Sequence, residues 1–211
     1  MRPSQLIDPA ARTRLEALVI EAERNTAGEI VVAVVRACDE YGSAGWRLGA
    51  VAAALAYLGL VLFAPPQSWW LYLGAQAAAL AVAHLLARLD GVRRQLLPHH
   101  LAEQRVAERA RRCFAERGLS HTLGRTGVLL FVALLERRVV VLADEGIHAA
   151  VGGEAETWQE VVDLAVEGLR AGRAAEGLEA AVRRLGEILA RHLPAAPRNP
   201  DELPDAIVLE D

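Results

Sequence analysis

The longest pattern in the chain is a pair of charge-free runs, Leu48 to Phe63 and Trp69 to Ala87, separated by Ala64-Pro65-Pro66-Gln67-Ser68. Each predicts a helix of roughly 25 to 29 Å, close to the hydrocarbon thickness of a bilayer. The Pro-Pro pair breaks the helix and turns the chain. Trp46 at one end of the pair and Trp69, Trp70 and Tyr72 at the other suit two membrane interfaces. The runs therefore read as a two-helix transmembrane hairpin; the alternative is a buried helical hairpin of a soluble protein, whose core segments are usually shorter. Gly45, Gly49, Ala53 and Ala77 to Ala79 are small enough for close helix approach. His84, the one group in a span that ordinarily titrates near neutral pH, reads as a neutral buried imidazole or an interfacial one rather than a proton relay.

On either side the pattern changes to short apolar runs between charged segments. Asp8-Pro9 predicts a capped helix with Leu15, Leu18, Val19 and Ala22 on its apolar face, ending near Asn25 to Gly28. Glu29 to Val35 is a continuous β-branched run, expected of a central strand covered on both faces. Pro98 opens a charged helix to about Arg117. Gly127 to Leu135 and Val139 to Ala143 read as an antiparallel strand pair joined by Glu136-Arg137-Arg138. Thr157-Trp158-Gln159-Glu160 has the spacing of a capping box and begins a helix to about Gly172. Leu178, Val182, Leu185 and Leu189 mark a last helix, and the tail after Pro194, with Pro197, Pro200 and Pro204, reads as extended and weakly ordered.

A helix and the hairpin separate the first strand from the strand at Gly127, so a parallel crossover pairing is expected, with the hairpin inserted in the connection. The fold class is α/β: a small mixed sheet with helices on both faces, interrupted by the hairpin. The expected organisation is 1–45 as the first part of that domain, 46–89 as the hairpin, 90–193 as the remainder and 194–211 as an acidic, Pro-rich tail.

Composition supports this division: 53% of the 211 residues are hydrophobic, and the excess is concentrated in the hairpin. A formal charge of -4 argues against nucleic acid as a partner. Cys38 and Cys113 form no metal or redox pair and read as idle thiols. The first residues lack the basic start and apolar core of a signal peptide. Every basic side chain except histidine is Arg; without Lys, a Walker-type phosphate loop, a Schiff-base lysine and a Ser-Lys dyad are excluded.

Glu29-Ile30-Val31-Val32, Gly127-Val128-Leu129-Leu130-Phe131-Val132, Arg138-Val139-Val140-Val141-Leu142-Ala143-Asp144-Glu145-Gly146-Ile147 and the final helix pair together resemble the TPM domain. Bacterial membrane proteins of that family share the hairpin and a tail similar to Asp201-Glu202-Leu203-Pro204. The resemblance implies a TPM-like α/β sandwich. It also implies a choice of activities, since some members are described as acid phosphatases, some bind calcium through loop carboxylates and others assist the assembly or repair of membrane complexes.

No phosphatase signature is present: neither Cys is followed six residues later by Arg, and there is no Asp-x-Asp-x-Thr. A Ser-His-Asp triad would have to use Ser120 beside His121, or Ser4 or Ser43. His99-His100 precede a helix and point apart on regular structure. The expected topology instead gathers Glu29, His121, Thr122, Arg125, Thr126, Asp144, Glu145 and His148 on one rim of the sheet. That mixture could hold an anion or a divalent cation, calcium or another, with Asp144 and Glu145 as the metal ligands. The plainer reading is strand-end residues that cap turns and pair Arg with Asp. The opposite rim feeds the hairpin, which places Arg137 and Arg138 near lipid headgroups together with Arg93 and Arg94. Two functions follow from this reading. One is a membrane-tethered binding, assembly or quality-control factor whose partners are the lipid bilayer and another membrane protein; the other is a metal-dependent phosphohydrolase.

Arg36 and Arg47 precede the first span, Arg88, Arg93 and Arg94 follow the second, and the turn has no Arg. The positive-inside rule then puts both termini in the cytoplasm. Labelling intact cells with a membrane-impermeant thiol reagent should modify Ser68→Cys and spare Ser4→Cys; the reverse pattern would invert the topology.

Overall fold

The computed structural model describes residues 2–39, 41–63, 68–151, 155–195, 203 and 206–211. The Pro-Pro turn and Pro197, Pro200 and Pro204 of the tail lie outside them. In chain order the helices and strands are α1 (Pro3–Leu6), α2 (Pro9–Glu23), β1 (Glu29–Val35), α3 (Gly42–Phe63), α4 (Trp69–Leu86), α5 (Asp90–Gln95), α6 (His99–Glu116), β2 (Gly127–Ala133), β3 (Arg138–Ala143), α7 (Glu145–Val151), α8 (Ala155–Arg170), α9 (Ala174–His192) and β4 (Val208–Glu210). A single 3-10 turn, Leu119–His121, lies between α6 and β2. The chain divides into two compact units, Met1–Cys38 with Glu103–Asp211, and Asp39–Ala102.

The first unit is an α/β domain. Its sheet has the order β3-β2-β1-β4, with β1 parallel to β2 and β4 and with β3 antiparallel to β2. Every residue of β1 and β2 is buried, as their unbroken apolar runs require. Alternate side chains feed two cores. Ile30, Val32, Val34, Val128, Leu130 and Val132 pack beneath α2, α8 and α9. Val31, Ala33, Val35, Leu129, Phe131 and Ala133 meet Val106, Ala110 and Cys113 of α6. Asp8 caps α2, accepting a hydrogen bond from the Ala11 amide at 2.6 Å, and Pro9 takes the first helical position, where it costs no bond.

Three details depart from the sequence reading. The β2–β3 turn is Leu134 to Arg137, not Glu136 to Arg138, because Ala133 already stands opposite Arg138 in the register. Helix α8 begins at Ala155, two residues ahead of the Thr157 capping box. The tail adds a strand: Val208–Glu210 pairs with Ala33–Val35. Its charged end is held in place, since Glu210 pairs with Arg109, Asp211 accepts from Ser4 Oγ at 2.7 Å, and the Arg36 amide donates to Glu210 O. Short apolar strands after prolines carry a weak periodic signal, which is why this one reads as coil.

The second unit carries α3 and α4, which run antiparallel. Gly49 lies against Leu80, Gly45 against His84 and Ala87, and Tyr57 near Tyr72 with ring centroids 6.0 Å apart. Gly45–Phe63 and Trp69–Leu86 have mean hydropathies of 1.8 and 1.3, long and apolar enough to cross a membrane. His84 is exposed, with its ring 5.8 Å from Trp46.

Helices α8 and α9 cross where two glycines meet. A Cβ on Gly177 would come within 2.6 Å of the Gly168 Cα, and one on Gly168 within 2.4 Å of the Gly177 Cα. Backbone cannot swing aside as a side chain can. Overpacking of this kind costs about 1 to 3 kcal/mol, against a gain in helix propensity of about 1 kcal/mol when Gly becomes Ala. Gly177→Ala should therefore lower the melting temperature by several degrees, followed by circular dichroism in detergent. Gly74→Ala, where the added methyl meets open space and only the propensity gain remains, should not lower it.

Candidate functional site

Parallel pairing of β1 with β2 and antiparallel pairing of β3 bring Glu29, Gly127 and Ala143 to one rim. The loop entering β2 is built onto that rim by close backbone contacts. The Thr126 amide donates to Thr122 Oγ1 at 2.9 Å, and the Glu29 amide donates to Thr126 O at 3.0 Å. Arg125 is left-handed, at φ 51°, and its carbonyl accepts from the Gly146 amide at 3.0 Å. A Cβ on Gly146 would lie 2.2 Å from Gly124 O, so only glycine lets the start of α7 dock on this loop.

The docking delivers Arg125 to Asp144. Its Nε donates to Asp144 Oδ2 at 3.2 Å and a terminal nitrogen donates to Oδ1 at 3.1 Å, a two-point pairing. Asp144 Oδ1 also accepts from the Glu145 amide at 2.8 Å, and Asp144 O accepts from the His148 amide. Glu145 is exposed, with Oε2 3.7 Å from Arg125. Burial acts to raise the Asp144 carboxyl; hydrogen bonds from Arg125 and the Glu145 amide, with the charges of Arg125 and His148, outweigh it and hold the group below the usual carboxylate range. The same pairing pushes the Arg125 guanidinium up.

The rim residues expected from the sequence therefore separate into three groups. Arg125, Asp144 and Glu145 form one cluster, with His148 a turn along α7. Glu29 and Thr126 are buried at the strand ends beneath it. His121 is exposed on the 3-10 turn, where Nδ1 lies 3.4 Å from Ser120 Oγ, and no bond to the Arg125–Asp144 pair is present among the described residues. Also among the described residues, no group of three or more His, Cys, Asp or Glu is arranged to hold a metal ion. A divalent cation at Asp144 and Glu145 would have to displace Arg125 from both Asp144 oxygens. His99 and His100 are exposed at the start of α6. Burial pushes the Cys113 thiol up, which keeps it protonated and unreactive. Thr122, expected on this rim, caps its turn; the role of Gly146 in docking α7 was not read from the sequence, where Asp-x-Gly directly after a strand is the available signal.

The opposite rim holds the β2–β3 turn. The Leu134 and Leu135 amides donate to Val35 O and Arg36 O, and the Cys38 amide donates to Glu136 Oε1 at 2.9 Å. Arg138 pairs with Glu103 at 2.7 Å. The chain leaves this unit at Cys38 and returns at Glu103, so both passages are fastened to one turn. Arg137 is exposed and left-handed, at φ 54°. Arg93 and Arg94 occupy the last turn of α5 in the other unit.

Residues 95–188 match the family model of the TPM domain. The NMR structure of BA42 protein from the psychrophilic bacterium Bizionia argentinensis aligns with a TM-score of 0.58 at 18% identity, over 96% of this chain and 94% of that one, a likeness of fold. No curated protein matches the chain at a significant level.

Asp144 has a depressed carboxyl, so the stability it contributes is present above the ordinary Asp range, near pH 3.9, and is lost as pH falls through its folded value. Arg125→Gln removes the cation that both Asp144 oxygens accept from. Its melting temperature should fall below the parent's by a few degrees at pH 7, with the gap closing toward pH 3. In the same melts millimolar calcium should stabilise Arg125→Gln more than the parent, because Arg125 no longer competes for Asp144. Equal melting at pH 7 would show that the pair stabilises nothing.

Proposed function

We propose that this chain, which carries a TPM domain, is a membrane-tethered binding, assembly or quality-control factor acting on a neighbouring membrane protein. The supporting observation is the apolar surface of the hairpin: the windows in α3 and α4 bury only 11% and 6% of their residues. Soluble monomers rarely present contiguous apolar surface of that size to water, and a bilayer removes the cost of hydrating it. The Arg distribution supports a cytoplasmic-membrane hairpin with both termini on the cytoplasmic side. Arg137, Arg93 and Arg94 then act at the lipid surface, while Arg138 is occupied with Glu103.

The rim suits recognition better than catalysis. A carboxylate whose two oxygens are held by Arg125 is an anchor for a loop; to become a base or a metal ligand it must first lose that partner. The metal-dependent phosphohydrolase reading needs a cation in the place of Arg125, and calcium or another divalent ion is the candidate. Purification of the full chain in mild detergent after cross-linking in membranes should retain a specific membrane protein. Phosphomonoester turnover with added divalent metal should not exceed that of Asp144→Ala. Failure to retain any membrane protein would reject the assembly role, and robust hydrolysis abolished by Asp144→Ala would favour the enzyme.

A further inference from the structure

The two edges of the sheet are treated differently. On one side β4 covers Ala33–Val35 of β1; on the other, β3 is the outermost strand among the described residues. The Asp144 amide bonds to Gly127 O, so Leu142, Val140 and Arg138 exchange bonds with β2, and Val139, Val141 and Ala143 turn their N–H and C=O groups outward. Among the described residues those outward groups meet no partner. Edge strands are ordinarily protected by lysine, proline, a bulge or a charge in mid-strand. Here Val139-Val140-Val141-Leu142-Ala143 has none of these, its register with β2 is uninterrupted, and four of the five side chains are partly exposed.

We propose that β3 pairs with β3 of a second copy of this chain, antiparallel about a two-fold axis through Val141. The strand is its own complement in that register. Val139 faces Ala143 of the second copy and Val141 faces its counterpart, so outward-turned groups meet outward-turned groups. On the α6 face, half-exposed Val140 lies beside Leu142 of the second copy. The ends match in charge, because Arg138 stands opposite Asp144 on the same face. Each copy already pairs Arg138 with Glu103 and Asp144 with Arg125, and the two pairs join into a row of alternating sign. A slip of two residues would set Arg138 opposite Leu142 and break the row, so a single register is selected. The self-complementary ends favour a second copy over an unrelated extended peptide. The product is a continuous sheet of eight strands, four from each copy.

The test uses the full chain in mild detergent, with mass measured by light scattering corrected for the micelle. The parent should contain two chains at tens of micromolar. Val141→Pro removes an N–H that points away from β2, a place where an edge strand tolerates proline, so it should leave the far-ultraviolet spectrum unchanged and weaken association at least tenfold. A parent of one chain overturns the proposal, as does a Val141→Pro variant that remains paired, since the contact would then lie elsewhere. Should Val141→Pro fail to fold, Val141→Cys in a Cys38→Ser background gives an independent measurement. A short bismaleimide should join it across the two-fold axis, and its failure to do so would overturn the pairing.

Discussion

The parallel pairing of β1 with β2 is the constraint from which the α/β unit follows. Both strands are buried along their whole length, so each face needs a cover, supplied by α2, α8 and α9 on one side and α6 on the other. Parallel strands also need a crossover. In this chain the crossover contains α6 and the entire second unit, and the geometry sorts the loops by rim. The chain departs and returns at the carboxyl ends of β1 and β2; the Arg125–Asp144 cluster forms at their amino ends.

That cluster is set by backbone before it is set by charge. Arg125 occupies a left-handed conformation that favours glycine, and the conformation persists because the Gly124 and Arg125 carbonyls rest on Gly146. A side chain at 146 would lift the loop off α7 and carry the guanidinium away from Asp144. The ion pair and the loop conformation therefore depend on each other. Surface pairing of Arg with Asp is usually worth little by itself; here both Asp144 oxygens are held by Arg125 and one also receives a backbone amide, so the pair is better fixed than an open surface one.

The elements that were legible in the sequence are those whose periodicity runs long enough to register. The β-branched runs at Glu29 and Gly127, the Asp8-Pro9 helix start, the charged helix ended by Gly118 and the stripe from Leu178 to Leu189 each specify one element, and the parallel pairing followed from the length of the connection. Val208–Glu210 did not stand out, because three residues carry no period and the preceding prolines suggest coil. The rim was legible as a gathering of residues, since topology alone assembles it. The pairing of Arg with Asp was the plainer of the two readings, and Arg125 with Asp144 carries it. The two-point geometry was not legible, because it depends on the left-handed turn at Arg125, and a non-glycine residue leaves no mark of such a turn in the sequence.

The distance along the chain between β1 and β2 has a consequence for biosynthesis. Glu29 and Gly127 stand opposite each other in the sheet, yet at ordinary elongation rates roughly 5 to 20 s separate their emergence from the ribosome. The whole hairpin is made in that interval. Strand β1 must wait for its partner while the far greasier hairpin is made, and its other neighbour, β4, comes later still. A nascent chain of this design holds an unpaired β-branched strand longer than a local hairpin would, so its vulnerability to aggregation is greatest before α6 and β2 appear.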